Sequence, residues 1–166
     1  MTATRQDLFA FFDQLSIKTT TVDHIPVFTV EDARKVHGDI AGGHCKNLFC
    51  KDEKGVLWLI VALEDSVIDL KAAKDRIGSK RLTFAKPELL MEILGVEPGS
   101  VTPFSLINDR QARTNVILDE AMMSHNLLNF HPLKNDATTT ISSEDLKSFI
   151  RATGHEPRIV AVSNPV

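Results

Sequence analysis

The sequence predicts a mixed α/β fold, a single β-sheet flanked by helices, and three observations carry that prediction. Segments of helical periodicity alternate with short β-rich runs along the whole chain. The apolar run over residues 56–63 reads as a strand buried on both faces. No linker and no internal repeat interrupts the alternation, and 166 residues suit one compact domain over 1–166 that needs no metal or disulfide to hold its core.

Each element has a local reason. Thr4, with Asp7 three residues on, starts a first helix whose Leu8, Phe11, Phe12 and Leu15 fall at i, i+3, i+4 and i+7. Residues 19–22 read as a strand, and His24-Ile25-Pro26 as an extended break. Thr29 is placed to cap a short helix over 30–36, and Gly38, Gly42 and Gly43 make the next stretch a loop. Residues 46–51 and 56–62 are strands joined by a turn over 52–55, the second strand central in the sheet. A helix over 69–77 turns Leu70, Ala73 and Ile77 inward, and 81–84 is a short strand. Pro87 opens a helix that Gly95 ends. Residues 99–103 read as a loop, 104–107 as extended and 116–119 as a strand. Residues 121–129 read as a turn or helix start followed by a strand. The β-branched 138–141 is a strand, Ser142 and Asp145 cap a last helix that Gly154 stops, and 158–162 is the final strand.

Composition excludes several classes. With 43% hydrophobic and 25% charged residues, the chain is neither disordered nor fibrous. A formal net charge of -3 argues against coating nucleic acid by bulk charge, though it leaves room for a local basic patch. The apolar stretch over 9–12 is too short for a signal peptide, and 56–63 is too short to span a bilayer. The reading is a soluble, cytoplasmic protein with no membrane partner. Cys45 and Cys50 lie near His37 and His44, but no second ligand pair accompanies them, so no metal and no cofactor is expected.

No P-loop, nucleophile elbow, dinucleotide fingerprint or zinc-protease motif is present. Cys50 alternates with Leu48 in a strand pattern and reads as core, while Cys45 is open. Four local features could carry chemistry. Gly42 to Asn47 is a glycine loop running into a strand, with His44, then Lys46 to meet a phosphate or developing negative charge and Asn47 to orient a carbonyl or water. Gly99, Ser100, Val101, Thr102 and Pro103 form a loop whose backbone amides could approach an ester carbonyl. Phe130, His131 and Pro132 could wall a pocket. Residues 71–86 gather Lys71, Lys74, Arg76, Lys80, Arg81 and Lys86, a stretch suited to an RNA backbone. Each also has an ordinary reading: a solvated lysine, a surface turn, a structural histidine, a solvated charged face.

Taken together, the motifs D-H-I-P-V-F-T-V-E-D-A (23–33), G-G-H-C-K-N-L-F (42–49), G-V-x-P-G-S-V-T-P-F (95–104) and F-H-P-L-x-N-x-x-T-T (130–139) are specific in order and spacing. The chain resembles the YbaK/ProX family of aminoacyl-tRNA deacylases, related to the editing domain of prolyl-tRNA synthetase, and looks most like its PrdX (ProXp-ala) branch. The resemblance covers nearly the whole chain. It implies hydrolysis of the aminoacyl ester on mischarged tRNA(Pro), alanyl-tRNA(Pro) above all, with the acceptor end of the tRNA as partner and prolyl-tRNA synthetase or an elongation factor as transient partners. It implies Lys46 beside the terminal adenosine and its phosphate, and Asn47 and Gly99 with it as catalytic positions. Phe130, His131, Pro103, Thr102 and His44 line the substrate in that reading, while Lys74, Lys80 and Arg81 meet the tRNA. The family's expected use of the substrate's own ribose hydroxyl accounts for the missing protein base. The alternatives are editing of another misacylated tRNA such as cysteinyl-tRNA(Pro), or a non-catalytic module that binds tRNA or aminoacyl groups on the same fold.

Overall fold

A computed structural model describes residues 2–27, 29, 31, 32, 35 and 40–164. Among them are helices α1 (Arg5–Gln14), α2 (Leu70–Ile77), α3 (Pro87–Leu94) and α4 (Ser143–Ala152). The strands are β1 (Thr20–Asp23), β2 (Gly43–Asp52), β3 (Leu57–Leu63), β4 (Leu82–Phe84), β5 (Thr114–Asp119), β6 (Leu127–Phe130), β7 (Ala137–Ser142) and β8 (Pro157–Val160). They form one mixed sheet in the order β1-β7-β6-β2-β3-β5-β8, with β4 paired to β2 off this path. The mixed α/β architecture is therefore the one the sequence predicts.

Local chemistry sets the boundaries. Thr4 and Asp7 form a reciprocal capping box at the start of α1. Asp69 caps α2, Ser142 caps α4, and Pro87 opens α3. Gly95 ends α3 at φ 66°, a left-handed conformation that costs a residue with a side chain more. In the β2–β3 hairpin the Asp52 carboxylate accepts the Lys54 and Val56 amides and the Trp58 indole N–H. The short helix expected after Thr29 lies largely outside the described residues; within them, the Thr29 hydroxyl accepts the Asp32 amide at 3.0 Å. The final strand ends at Val160 rather than 162, because the Val162 and Ser163 amides turn to the Asp119 carboxylate.

One expectation fails. Residues 104–107 are not extended but lie in a 3-10 turn, Pro103–Asn108. The Thr102 hydroxyl accepts the Phe104 amide, its carbonyl accepts the Ser105 hydroxyl, and Pro103 fixes φ at the first position. These local bonds outweigh the β-preference of Phe104 and Ile107.

Alternation along the central strands divides the core in two. Phe49 of β2 and Leu57, Leu59 and Val61 of β3 face the larger cluster with α1, α3 and α4. Cys50, Trp58 and Ile60 face the smaller one with Ala73 and Ile77 of α2. Phe104, on the 3-10 turn, is the hub of the larger side, with ring centroids 5.2 Å from Phe12, 5.4 Å from Phe149 and 5.7 Å from Phe130.

A buried polar joint ties the turn after this hub to α4. Asp109 Oδ2 lies 2.8 Å from His155 Nε2, and both side chains are almost wholly buried. Burial pushes the Asp109 pKa up, but bonds from His155 and from the Arg113 and Thr114 amides outweigh it and hold the carboxyl at about 2. A depressed carboxyl pKa contributes stability above its unfolded value, and that contribution is lost as pH falls from about 4 toward 2. Asp109→Asn is expected to lower unfolding free energy at pH 7 by roughly 2 kcal/mol. In urea titrations from pH 7 to 3, the gap between variant and parent should narrow as pH falls below about 4; a constant gap would contradict the assignment.

Candidate functional site

β2 and β6 run parallel and pair through only two positions, Gly43 with Leu128 and His44 with Asn129. Beyond that the strands part. Asn129 holds the split in place: its amide donates to the carbonyls of Ala41 (2.9 Å) and Gly43 (3.3 Å), and its Oδ1 accepts the Thr140 hydroxyl. Gly42 sits at φ 100°, where a Cβ would lie 2.8 Å from the Leu127 carbonyl oxygen, so only glycine lets the loop close on β6.

A small pocket of ≈ 50 Å³ opens where the strands part. β2 contributes His44, Cys45 and Asn47; β6 and the residue after it contribute Asn129, Phe130 and His131; Glu64 and Thr138 complete the lining. Phe130 is backed by Phe104, so the Thr102-Pro103 turn reaches the pocket through an aromatic wall.

The electrostatics are those of a neutral cage with one carboxylate. His131 Nδ1 lies 3.0 Å from the Ala137 carbonyl, which can only accept, so the ring proton sits on Nδ1 and Nε2 presents a lone pair. Burial pushes the His131 pKa down, with the nearby His24 ring adding to that and the Ala137 bond and Asp136 opposing it. Burial likewise lowers the His44 pKa. The Cys45 thiol is pushed up to about 12 by burial, which favours the neutral thiol over the thiolate. The oxygen of the Asn47 side chain is buried and has no hydrogen-bond partner among the described residues. An amide carbonyl orphaned in a pocket costs about 1–3 kcal/mol unless a bound molecule supplies a donor.

A second layer fixes the His131 wall. His24 donates from Nδ1 to the Ile25 carbonyl (2.7 Å) and lies 2.8 Å from the Thr138 hydroxyl through Nε2. The His24 amide donates to the Asp136 carbonyl, and the Val27 amide and carbonyl both bond Asn135. Arg5 bridges Asp23 and Asp136 at 2.6 and 3.0 Å. The H-I-P segment is thus zipped to the segment that follows His131.

The sequence-predicted residues fall in three places. His44, Asn47, Phe130 and His131 meet in the pocket. Lys46 does not line it: its ammonium bonds the Ser66 carbonyl, two residues beyond Glu64. Gly99 stands on an exposed turn at φ 88°, outside the lining, and Thr102 and Pro103 are buried beneath it. Lys74 and Arg81 share an open groove beside α2 with Lys71, and Glu53, Asp69 and Asp75 share it too, so the run that is basic in sequence is balanced by acids in space. Lys74 pairs with Asp75 at 3.2 Å, and the Lys80 amide donates to Asp52. Sequence reasoning did not assign Glu64, Asn129 and Thr138 to the site. The signal for Glu64 is its place at the end of the apolar strand, where its amide bonds the His44 carbonyl at 2.9 Å. No cluster of three or more His, Cys, Asp or Glu able to hold a metal exists among the described residues, and none of their helices is long and apolar enough to cross a membrane.

The profile of the aminoacyl-tRNA editing domain matches residues 24–149, from His24 at the zipped segment through the whole pocket. The chain belongs to the aminoacyl-tRNA editing domain family. Among relatives of this editing domain, the prolyl-tRNA editing protein ProX of Acetoanaerobium sticklandii is 37% identical over 91% of this chain and 93% of its own length. The prolyl-tRNA synthetase associated domain-containing protein 1 of Mus musculus is 37% identical over 94% and 95%. A solved structure described as a candidate trans-editing enzyme for prolyl-tRNA synthetase superposes with a TM-score of 0.69, at 20% identity over 96% of this chain and 98% of that one, which shows the shared fold. The editing domain is an enzyme of the aminoacyl-tRNA deacylase class, a carboxylic ester hydrolase.

The expected role of His131, half-buried and held through Nδ1 by the Ala137 carbonyl, is that of a pocket wall. His131→Ala is expected to slow release of the smallest aminoacyl group while raising activity on larger ones relative to it. A panel of aminoacyl-tRNAs measures this, and a uniform loss together with an imidazole-like titration of the parent near neutral pH would assign His131 as base instead.

Proposed function

We propose that this protein removes a small, wrongly attached amino acid, alanine above all, from tRNA(Pro) in trans. The coarser reading, deacylation of mischarged tRNA(Pro), is supported by the relative named prolyl-tRNA editing protein ProX, matched over 91% of this chain and 93% of its own length. The finer one rests on pocket size: ≈ 50 Å³ is room for roughly three to five waters, about the heavy-atom count of an alanyl group. Buried Phe130 and half-buried His131 are walls that a prolyl ring would have to displace.

In the reaction, water adds to the ester carbonyl, the acyl C–O bond breaks, and the free amino acid leaves the terminal ribose hydroxyl of the tRNA. An aminoacyl ester is already activated, so positioning supplies much of the required acceleration. The orphaned Asn47 acceptor orients the aminoacyl group or the water. Lys46, resting on a neutral carbonyl, exchanges it for the terminal phosphate as the 3′ end docks. Thr102 and Pro103 act by holding Phe104 against Phe130, and Gly99 shapes the turn that leads into them. Lys74, Lys80 and Arg81 lie along α2 and the approach to β4 as contacts for the acceptor stem. The protein acts in the cytoplasm, where tRNA charging places its substrate, with prolyl-tRNA synthetase or an elongation factor as passing partners.

The test is tRNA(Pro) charged separately with alanine, cysteine, serine and proline. Alanyl ester should be lost fastest and prolyl ester spared; a preference for cysteine would move the protein to a sister specificity, and no loss of any ester would leave a non-catalytic binder. Lys46→Ala should lose most deacylation, about 10-fold or more, with an unchanged thermal transition. Near-normal activity in that folded variant removes the lysine from the reaction.

A further inference from the structure

We propose that Phe84 is a stacking platform for one of the two cytosine bases that precede the terminal adenosine, and so steers the single-stranded 3′ end of the tRNA toward the pocket. The inference rests on the deacylase reading above and adds to it a contact made away from the aminoacyl group.

Three observations carry it. First, Phe84 is 62% exposed, whereas every other phenylalanine among the described residues is buried or half-buried. Its strand, β4, pairs with β2 alone among them, and a bare ring on such an edge serves association rather than folding. Second, its position joins two places already described. Because β3 holds one edge of β2, β6 and β4 share the other, β6 at Gly43 and His44 and β4 at Cys50 to Asp52. The pocket opens in the gap between them. Phe84, opposite Cys50, stands at the β4 end of that gap, about 10 Å along β2 from Asn47. In the other direction Leu82 and Thr83 of the same strand line the groove that holds Lys74 and Arg81. RNA running from that groove to the pocket passes the ring. Third, the local charge favours a polyanion. Lys51 is in register with Thr83, Arg81 and Lys86 flank β4 in sequence, and all three are exposed; Glu53 and Glu88 are the exposed acids of the same stretches. A ring accepts the face of any unpaired base while cations hold the phosphates, the combination that binds single-stranded nucleic acid. A duplex hides its base faces, so this contact takes the single-stranded end and not the stem.

Removing a base while keeping its phosphate isolates this contact. Uncharged acceptor-stem minihelices of tRNA(Pro) are made intact and with an abasic residue at either cytosine, and their affinities for the parent, Phe84→Leu and Phe84→Trp are measured by fluorescence anisotropy. Phe84→Leu should bind the intact RNA about 10-fold more weakly, and Phe84→Trp at least as tightly as the parent, at unchanged thermal transitions. One abasic RNA should bind the parent as weakly as the intact RNA binds Phe84→Leu, and should lose nothing further in that variant. The salt dependence should be the same in parent and Phe84→Leu, because no phosphate contact is removed. An unchanged affinity of Phe84→Leu for the intact RNA, or an equal loss on the intact and both abasic RNAs, overturns the inference. A parent that binds both abasic RNAs as tightly as the intact one overturns it without any variant. If that parent still releases the amino acid from mischarged tRNA(Pro), the deacylase reading stands; a parent that neither binds the RNA nor deacylates overturns both.

Discussion

The two-residue parallel pairing of β2 with β6 is the constraint on which the site depends. Parallel strands that stayed paired would leave no crevice, and strands that never met would leave its walls unrelated. Here Gly43 and His44 bind β6 for one step and then the chains separate. Asn129 makes that arrangement rigid by using its whole amide on the Ala41, Gly43 and Thr140 partners. The pocket is therefore a property of the backbone, and its lining side chains inherit their positions from the sheet. The same logic places a ligand crevice where neighbouring strands diverge in other open α/β sheets.

Behind the crevice, rigidity is supplied in two ways. On one side an aromatic cluster centred on Phe104 presses Phe130 into place. On the other, His24, Asn135, Asp136 and Arg5 form a polar lattice around the segment that follows His131. A pocket that must distinguish amino acids differing by a few carbons gains from walls that do not yield, because apolar contact alone separates one methylene by only ~1–3 kcal/mol.

Much of this was legible in the sequence wherever the cause is local. Pro87 and Gly95 bound α3 because proline fixes one backbone angle and glycine permits the left-handed one. Thr4 and Asp7 announced α1 through a hydrogen-bond exchange across only two intervening residues. The misreading of residues 104–107 is equally local, since the turn is held by Thr102 and Pro103 rather than by the residues it contains. What the sequence could not convey is how distant pieces meet. Lys46 and Asn47 are adjacent in the chain yet face opposite sides of β2. Glu64 joins the pocket only through the register of β3 on β2, and Glu53 and Asp69 dilute a basic run from outside it.

The Cys45 thiol has a consequence for durability. Burial disfavours its thiolate, the form that alkylating agents and peroxides attack. A small soft atom thus completes the wall in its neutral, least oxidisable form.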